Sequence, residues 1–240
     1  MKKLIGNFLG KLNIEPHKKS SGEAKAEGYP DYLRAANELG LDVNDYLDNN
    51  LGWIKPGQVL EEVLYPVMTN LQSPKILELG PGTGRWTRQI LKRAKQINST
   101  EFSLADHSQW MIDFLRSYFN NEKIIKAYKN NGISLPFKQN EYDLIFSQGV
   151  FIELKPSFIY LYSKEFARVL KPGGYCVFDY FNFDSNDGWE YFIKESDKGN
   201  IYYTFYSDEF IDRLFKLAGF ILEKRFTYGK AKFVVMKKDI

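Results

Sequence analysis

The chain has 240 residues, 44% of them hydrophobic and 16% aromatic, which suits one domain with a sizeable core plus extra elements or a small lid. Its 33 basic and 30 acidic side chains leave a net charge of +3, too balanced to mark a nucleic-acid binder by composition. A single cysteine, Cys176, excludes an intramolecular disulfide. With only His17 and His107 beside it, a closed structural zinc site is not expected.

The chain opens on "MKKLIGNFLGKL", where Leu4, Ile5, Phe8, Leu9 and Leu12 share one helical face and Lys2, Lys3 and Lys11 the other. Its apolar part is too short for a signal peptide, and no small-residue cleavage site follows. A helix lying on a membrane surface through residues 1–12 is one reading. A short helix packed on this protein or a partner, or a frayed end, is the other. Asn13 to Gly28 is polar and reads as a linker, so residues 1–28 form a first unit. Tyr29 to Leu71 reads as a helical extension, a lid over residues 29–71, with Pro66 bending or ending its pattern. No apolar run approaches the roughly 18 residues needed to cross a membrane, and a cytoplasmic location is expected.

From Lys75 the rhythm changes. "KILEL", "EFSLAD", "KIIKAY", "YDLIFS" and "YCVFDYF" are strand candidates. Helical patterns separate them in "RWTRQILKRAKQI", "SQWMIDFLRSYF" and "SFIYLYSKEFARVL", the last ended by "KPGG". "SDEFIDRLFKLAG" follows, with Ser207 as N-cap and Gly219 as terminator. Two strands joined through "TYGKA" close the chain. This alternation predicts an α/β fold over residues 72–240: a doubly wound, mostly parallel seven-stranded sheet with an antiparallel last strand, plus the N-terminal helical extension.

The first strand breaks into Gly80, Gly82 and Gly84. A strand, a glycine turn and a helix N-terminus together make an anion or nucleotide site at the carboxyl end of a sheet. The spacing G-x-G-x-G without a following G-K-[ST] excludes a phosphate loop and disfavours a nicotinamide site.

"ILELGPGTGRWT" resembles the first motif of the Rossmann-like, class I S-adenosylmethionine-dependent methyltransferases. "SLADHSQWM", "NNGISLPF", "YDLIFSQGVFIEL", "ARVLKPGGYCVFDY" and "LFKLAGFILEKR" follow in that family's order, so the resemblance spans Leu71 to Lys238. It implies S-adenosyl-L-methionine as cofactor and a site of this chain's own residues. The glycine turn brings backbone amides to the methionine carboxylate. Glu78 accepts from the ammonium, and Asp106 accepts the ribose hydroxyls. For Asp106 the competing role is a helix cap, for which Ser108 is also available. His107 and Met111 flank the adenine, or simply pack. Asn131 stands where the family has an acid; its carbonyl oxygen can still accept from the adenine amino group, with the Gly132 and Ile133 amides on the ring nitrogens. Trp86 and Gln148 complete the cofactor-binding set.

Methyl transfer from a sulfonium mainly requires proximity and alignment, with a base only where the nucleophile must lose its proton early. Glu153, in "VFIEL", is the one candidate base; a helix-start or surface carboxylate is the plain alternative. Tyr29, Trp53, Tyr180, Phe181, Trp189, Tyr191, Tyr202 and Tyr203 gather where an acceptor pocket is expected, as stacking platforms or as lid packing. Segments like those of amino-group DNA methyltransferases are absent, and no metal cluster is evident. Cys176, in a strand candidate, is not placed as a nucleophile. A small-molecule acceptor, a saccharide or lipid-linked compound included, is therefore expected. An RNA acceptor, with Lys92, Arg93, Lys95 and the C-terminal lysines as its surface, and a non-catalytic adenosylmethionine-binding protein are the alternatives. The sequence does not specify an oligomeric state.

Overall fold

The computed structural model of the chain describes residues 21–50, 54–199 and 202–239. The segment 1–12, His17 and Trp53 lie outside them. The eight strands are β1 (Lys75–Leu79), β2 (Glu101–Asp106), β3 (Ile125–Lys129), β4 (Tyr142–Ser147), β5 (Leu170–Asn182), β6 (Phe205–Tyr206), β7 (Phe220–Tyr228) and β8 (Ala231–Lys238). They form one sheet in the order β3-β2-β1-β4-β5-β8-β7, with β6 added at the end of β5. The first five strands pair in parallel, and β8 runs antiparallel to both β5 and β7. The mostly parallel sheet and the antiparallel last strand agree with expectation. The eighth strand is β6, two residues long and too short to show a period.

Burial explains the strand sequences. β1, β2 and β4 are covered on both faces and are almost continuously buried, so they read as unbroken apolar runs rather than alternations. The edge strands β3 and β7 carry charged residues among the apolar ones and are mostly half-buried or exposed. Between β4 and β5 the register jumps from Tyr142 opposite Leu170 to Leu144 opposite Tyr175. Residues 171–174, the expected "KPGG" turn, are thus a bulge within β5.

The helices are α1 (Ser21–Glu38), α2 (Val43–Asn50), α3 (Pro56–Val59), α4 (Tyr65–Thr69), α5 (Thr87–Gln96), α6 (Gln109–Tyr118), α7 (Pro156–Val169), α8 (Asn186–Asp197) and α9 (Asp208–Leu217). Ser207 caps α9 as expected, accepting from the Phe210 amide at 3.1 Å. No helix among the described residues is long and apolar enough to cross a membrane.

Three elements depart from the sequence reading. α1 begins at Ser21, inside the segment read as linker, and continues through Pro30. Pro66 does not end its helix: a π-helical stretch, Leu60–Leu64, joins α3 to α4, and Pro66 falls in the first turn of α4. A proline removes one donor, and a locally widened turn accommodates that loss. Finally, α8 occupies a segment read only as a long connection. Ser185 caps it by accepting from the Gly188 amide at 3.1 Å. A Cβ on Gly188 would overlap the Asn182 carbonyl, so only glycine lets α8 sit this close to the end of β5.

Two apolar layers cover the sheet. Phe151, Phe178 and Phe215 stack on the α7–α9 side, with centroids 4.5 Å apart for Phe151–Phe178 and for Phe178–Phe215. Val59, Leu60, Val63, Leu64 and Met68 belong to the opposite layer, together with Ile76, Ile90 and Ile112. The second half of the 29–71 extension is therefore main core rather than lid.

Candidate cofactor and acceptor site

β1 lies at the centre of the sheet, and the chain order reverses between β1 and β4, where doubly wound sheets bind ligands. The glycine turn leaves β1 at this point. Gly80, Gly82 and Gly84 have φ of +68°, +53° and +83°, the left-handed region that favours glycine. Protein crowds two of them. A Cβ on Gly80 would overlap Val150 in the loop after β4, and one on Gly84 would sit 2.7 Å from the Phe119 ring. The turn is thus folded tightly against its neighbours.

Beside it, Glu78 is 2% exposed. Its Oε2 accepts from Thr87 Oγ1 at 2.7 Å. Burial pushes its carboxyl up to about 8, with the Thr87 bond opposing that rise. A carboxylate held in this setting is strongly favoured by an incoming cation. Asp106 ends β2 and is 9% exposed. Its Oδ1 accepts from the Ser108 amide at 2.8 Å and lies 3.5 Å from His107 Nδ1. Ser108 caps α6 by accepting from the Met111 amide at 3.3 Å, so the capping role belongs to Ser108, and Asp106 braces the turn that precedes it. Burial raises the Asp106 carboxyl, against the Ser108 bond and the neighbouring His107.

Residues 76–174 match the family model described as a methyltransferase domain. Over those residues the chain resembles a methyltransferase domain, and its fold is that of the class I, S-adenosylmethionine-dependent enzymes. Solved structures agree on the fold. A SAM-dependent methyltransferase from Aquifex aeolicus is 20% identical, with 81% of this chain and 96% of that one covered and a TM-score of 0.60. The PH0226 protein from Pyrococcus horikoshii OT3 is 18% identical, with 76% and 89% covered and a TM-score of 0.61. The [4+2]-cyclase SpnF shares the fold at 13% identity, with 77% and 80% covered and a TM-score of 0.58. Among curated proteins, the hybrid PKS-NRPS synthetase poxE of Penicillium oxalicum is 26% identical over 190 residues. That match covers 73% of this chain but only 4% of the synthetase's length.

S-adenosylmethionine is the cofactor that the methyltransferase domain implies, and the residues present fit it. Its ammonium would supply the counter-charge that buried Glu78 calls for, and the left-handed glycines offer backbone without side chains. The methyltransferase site differs from the sequence reading at several positions. Trp86 is 5% exposed, and its ring packs on Phe146 at 5.7 Å and Phe233 at 6.2 Å. It supports the glycine turn from within the core rather than facing a ligand. Met111 is likewise buried in that core, while His107 stays half-exposed. Asn131 Oδ1 accepts from the Ile133 amide at 3.0 Å and from the Ser134 amide at 2.7 Å, and Asn130 Oδ1 accepts from the Gly132 amide at 2.7 Å. The groups expected to face adenine are thus engaged in two side-chain turns. An asparagine in place of the family's acid closes its own loop, because Asn and Asp readily bond backbone amides two or three residues on. Ile133 itself is 44% exposed.

The loop after β4 is fastened by a residue the sequence reading missed. Asp179, fully buried on β5, accepts from the Gly149 amide at 2.7 Å and from Gln148 Nε2 at 3.3 Å. Gln148 is thereby oriented from beneath. The available signal was an acid within the apolar run "VFDYF". Farther along, Ile152 O accepts from the Thr204 amide at 2.8 Å, and Leu154 O accepts from the Tyr206 hydroxyl at 2.5 Å. Glu153 stands between these ties, half-buried, two residues before the Lys155 N-cap of α7. Cys176 is buried in β5, and burial pushes its thiol well up.

α2 lies on the glycine turn. Asn44, fully buried, donates from Nδ2 to Thr83 O at 2.9 Å and accepts from Thr83 Oγ1 at 2.6 Å. Arg85 Nε meets Asp48 at 2.6 Å, and Arg88 bonds Asp45 at 2.6 Å and also Asp48. Of the expected pocket aromatics, Tyr180 faces the α7–α9 layer and donates to Asp208 at 2.6 Å. Phe181, Tyr191 and Tyr203 cluster on the other face. Trp189 is 52% exposed and Tyr202 44%.

Proposed function

We propose that the chain transfers the methyl group of S-adenosylmethionine to a small-molecule acceptor, a saccharide or lipid-linked compound included. The acceptor enters between the loop after β4, the end of β5 and the N-terminal helices. The observation that carries this reading is α2, which sits on the glycine turn through Asn44 and Thr83. A helix at that position narrows access to the donor and favours a compact acceptor over a polymer.

The bound cofactor supplies an activated methyl group on a sulfonium. Glu78 holds its ammonium, Asp106 its ribose, and the glycine turn its carboxylate. Asp179 keeps the loop after β4 in place, so that the acceptor's nucleophilic atom is presented in line with the methyl group. Glu153 takes the acceptor's proton where one must leave.

The basic face offered for an RNA acceptor is poorly placed. Lys92, Arg93 and Lys95 belong to the later turns of α5, which starts at the carboxyl end of β1 and runs back toward the opposite edge. Arg93 is bonded to Thr69 at 2.7 Å, and Lys95 to Glu122 at 2.5 Å. Methyl-labelled cofactor, incubated with the protein and fractionated cell extract, tests the proposal. Label in the small-molecule, saccharide or lipid fraction is expected; label confined to RNA or protein contradicts it.

A further inference from the structure

The turn after β3, where the adenine is expected, is held from behind by two charged side chains of α7. Asn130 opens the segment that leads from β3 to β4, and its amide donates to the Asp106 carbonyl at 2.8 Å. Asn131 then closes the turn through its Oδ1, which accepts from the Ile133 and Ser134 amides. These bonds shape the turn but do not attach it to the sheet. Its outer side is open: a Cβ on Gly132 would meet nothing within 4 Å, and Ile133 is 44% exposed. With the Gly132 and Ile133 amides engaged inside the loop, the Ile133 side chain is the group left to meet a ring.

The attachment comes at Leu135, which is 4% exposed. Both of its backbone polar groups are taken up by α7. Its amide donates to Glu165 Oε2 at 2.7 Å, and its carbonyl accepts from Arg168 Nη2 at 2.9 Å. Arg168 Nη1 donates to Phe137 O at 2.7 Å. The same guanidinium forks onto Glu165, Nε to Oε1 at 2.8 Å and Nη2 to Oε2 at 2.7 Å. Burial would raise the Glu165 carboxyl, but Arg168 and the Leu135 amide outweigh it and hold the group below its usual value. This geometry needs a planar fork of fixed donors, which a lysine does not supply. An ion pair serving α7 alone would need none of the bonds to residues 135 and 137. The turn thus hangs between Asp106, at the end of β2, and the Glu165–Arg168 pair. Adenine adjoins the ribose in the cofactor, so a turn fixed to the Asp106 backbone lies where the ring follows.

We propose that Glu165 and Arg168 are positioning residues for cofactor binding: through Leu135 they hold the 131–134 turn so that Ile133 packs against the adenine while Asp106 takes the ribose. This rests on the methyltransferase reading above and adds to it two residues that touch no ligand.

The test is a double-variant cycle on the full chain, read by calorimetry of S-adenosylhomocysteine binding: parent, Ile133→Ala, Arg168→Gln and the two combined. Each single variant is expected to weaken binding about tenfold. The combined variant should bind within about twofold of Arg168→Gln alone, because the pair acts through the turn that carries Ile133. Losses that multiply to about a hundredfold overturn the positioning role, as does parent-like affinity in either folded single variant. Arg168→Lys keeps the charge but not the fork and should bind like Arg168→Gln; full rescue by lysine overturns the role of the fork. If Arg168→Gln fails to fold, Glu165→Gln takes its place in the cycle under the same criteria. Titration of the parent separates the two levels. A parent that does not bind S-adenosylhomocysteine overturns the function itself, whereas a parent that binds it, with independent losses in the variants, overturns only the positioning pair.

Discussion

Asn44 and Thr83 are bonded to each other twice, once through the Thr83 carbonyl and once through its hydroxyl, 39 residues apart in sequence. Asn44 is fully buried and Thr83 is 2% exposed. The N-terminal helices are therefore tied to the glycine turn, proposed above to receive the methionine end of the cofactor. Replacing Asn44 by Ala leaves two buried polar groups of Thr83 without these bonds, at about 1–3 kcal/mol for each group that stays unsatisfied. Asn44→Ala is expected to lower the melting temperature and to weaken cofactor binding about tenfold. Parent-like calorimetry and melts contradict a coupled turn.

Glu78 carries a pH signature. Its carboxyl is raised from the ordinary value of 4.5 to about 8 by burial, so the folded protein holds this proton more tightly than the unfolded chain. Stability of the cofactor-free protein is then fully present below pH 4.5 for this group and declines as pH rises toward 8. The loss is on the order of a few kcal/mol at the top of that window, at about 1.36 kcal/mol per pKa unit. Glu78→Gln is expected to remove this decline in chemical denaturation. It should also weaken cofactor binding, because the ammonium loses its partner. A variant that binds the cofactor like the parent contradicts the assignment of Glu78.

Asp106→Asn keeps a side-chain oxygen for the Ser108 amide but loses the charge. It should fold, and bind the cofactor more weakly by roughly 1.5–3 kcal/mol, the worth of hydrogen bonds to a charged group. Calorimetry on the folded variant checks this, and parent-like affinity removes Asp106 from the site.

Gly80→Ala addresses the turn itself. The new methyl group meets Val150 and the backbone stays at φ +68°. A loss of about 1–3 kcal/mol is expected from strain at a left-handed position. Pairing it with Val150→Ala should restore part of that loss. No recovery in the double variant, measured by denaturant melts, contradicts Val150 as the reason for glycine at position 80.

The sheet was legible because burial on both faces writes itself into sequence as apolar runs such as "KILEL" and "YDLIFS". The glycine turn, Glu78 and Asp106 stood out as site candidates because they interrupt such runs with residues that an apolar strand does not explain. The roles of Trp86 and Asn131 were not. A tryptophan beside a glycine turn reads the same whether its ring faces ligand or core, and only Phe146 and Phe233 decide it. Asn131 looked like a ligand acceptor because its bonds to Ile133 and Ser134 depend on a loop shape that composition does not specify. Asp179 and Asn44 act across long sequence separations, to the loop after β4 and to Thr83; the acid within "VFDYF" marks Asp179 as unusual without naming its partner, and no local pattern announces Asn44. α8 escaped because its capping serine and Gly188 read equally well as loop residues.

The most direct measurement of the central claim is isothermal titration calorimetry of the full chain with S-adenosylmethionine and with S-adenosylhomocysteine, each with and without a chelator, beside Asp106→Asn. The account predicts saturable binding of both ligands to the parent, unaffected by the chelator and weakened in the variant. Absence of binding to a folded parent, or equal binding by the parent and Asp106→Asn, would contradict it.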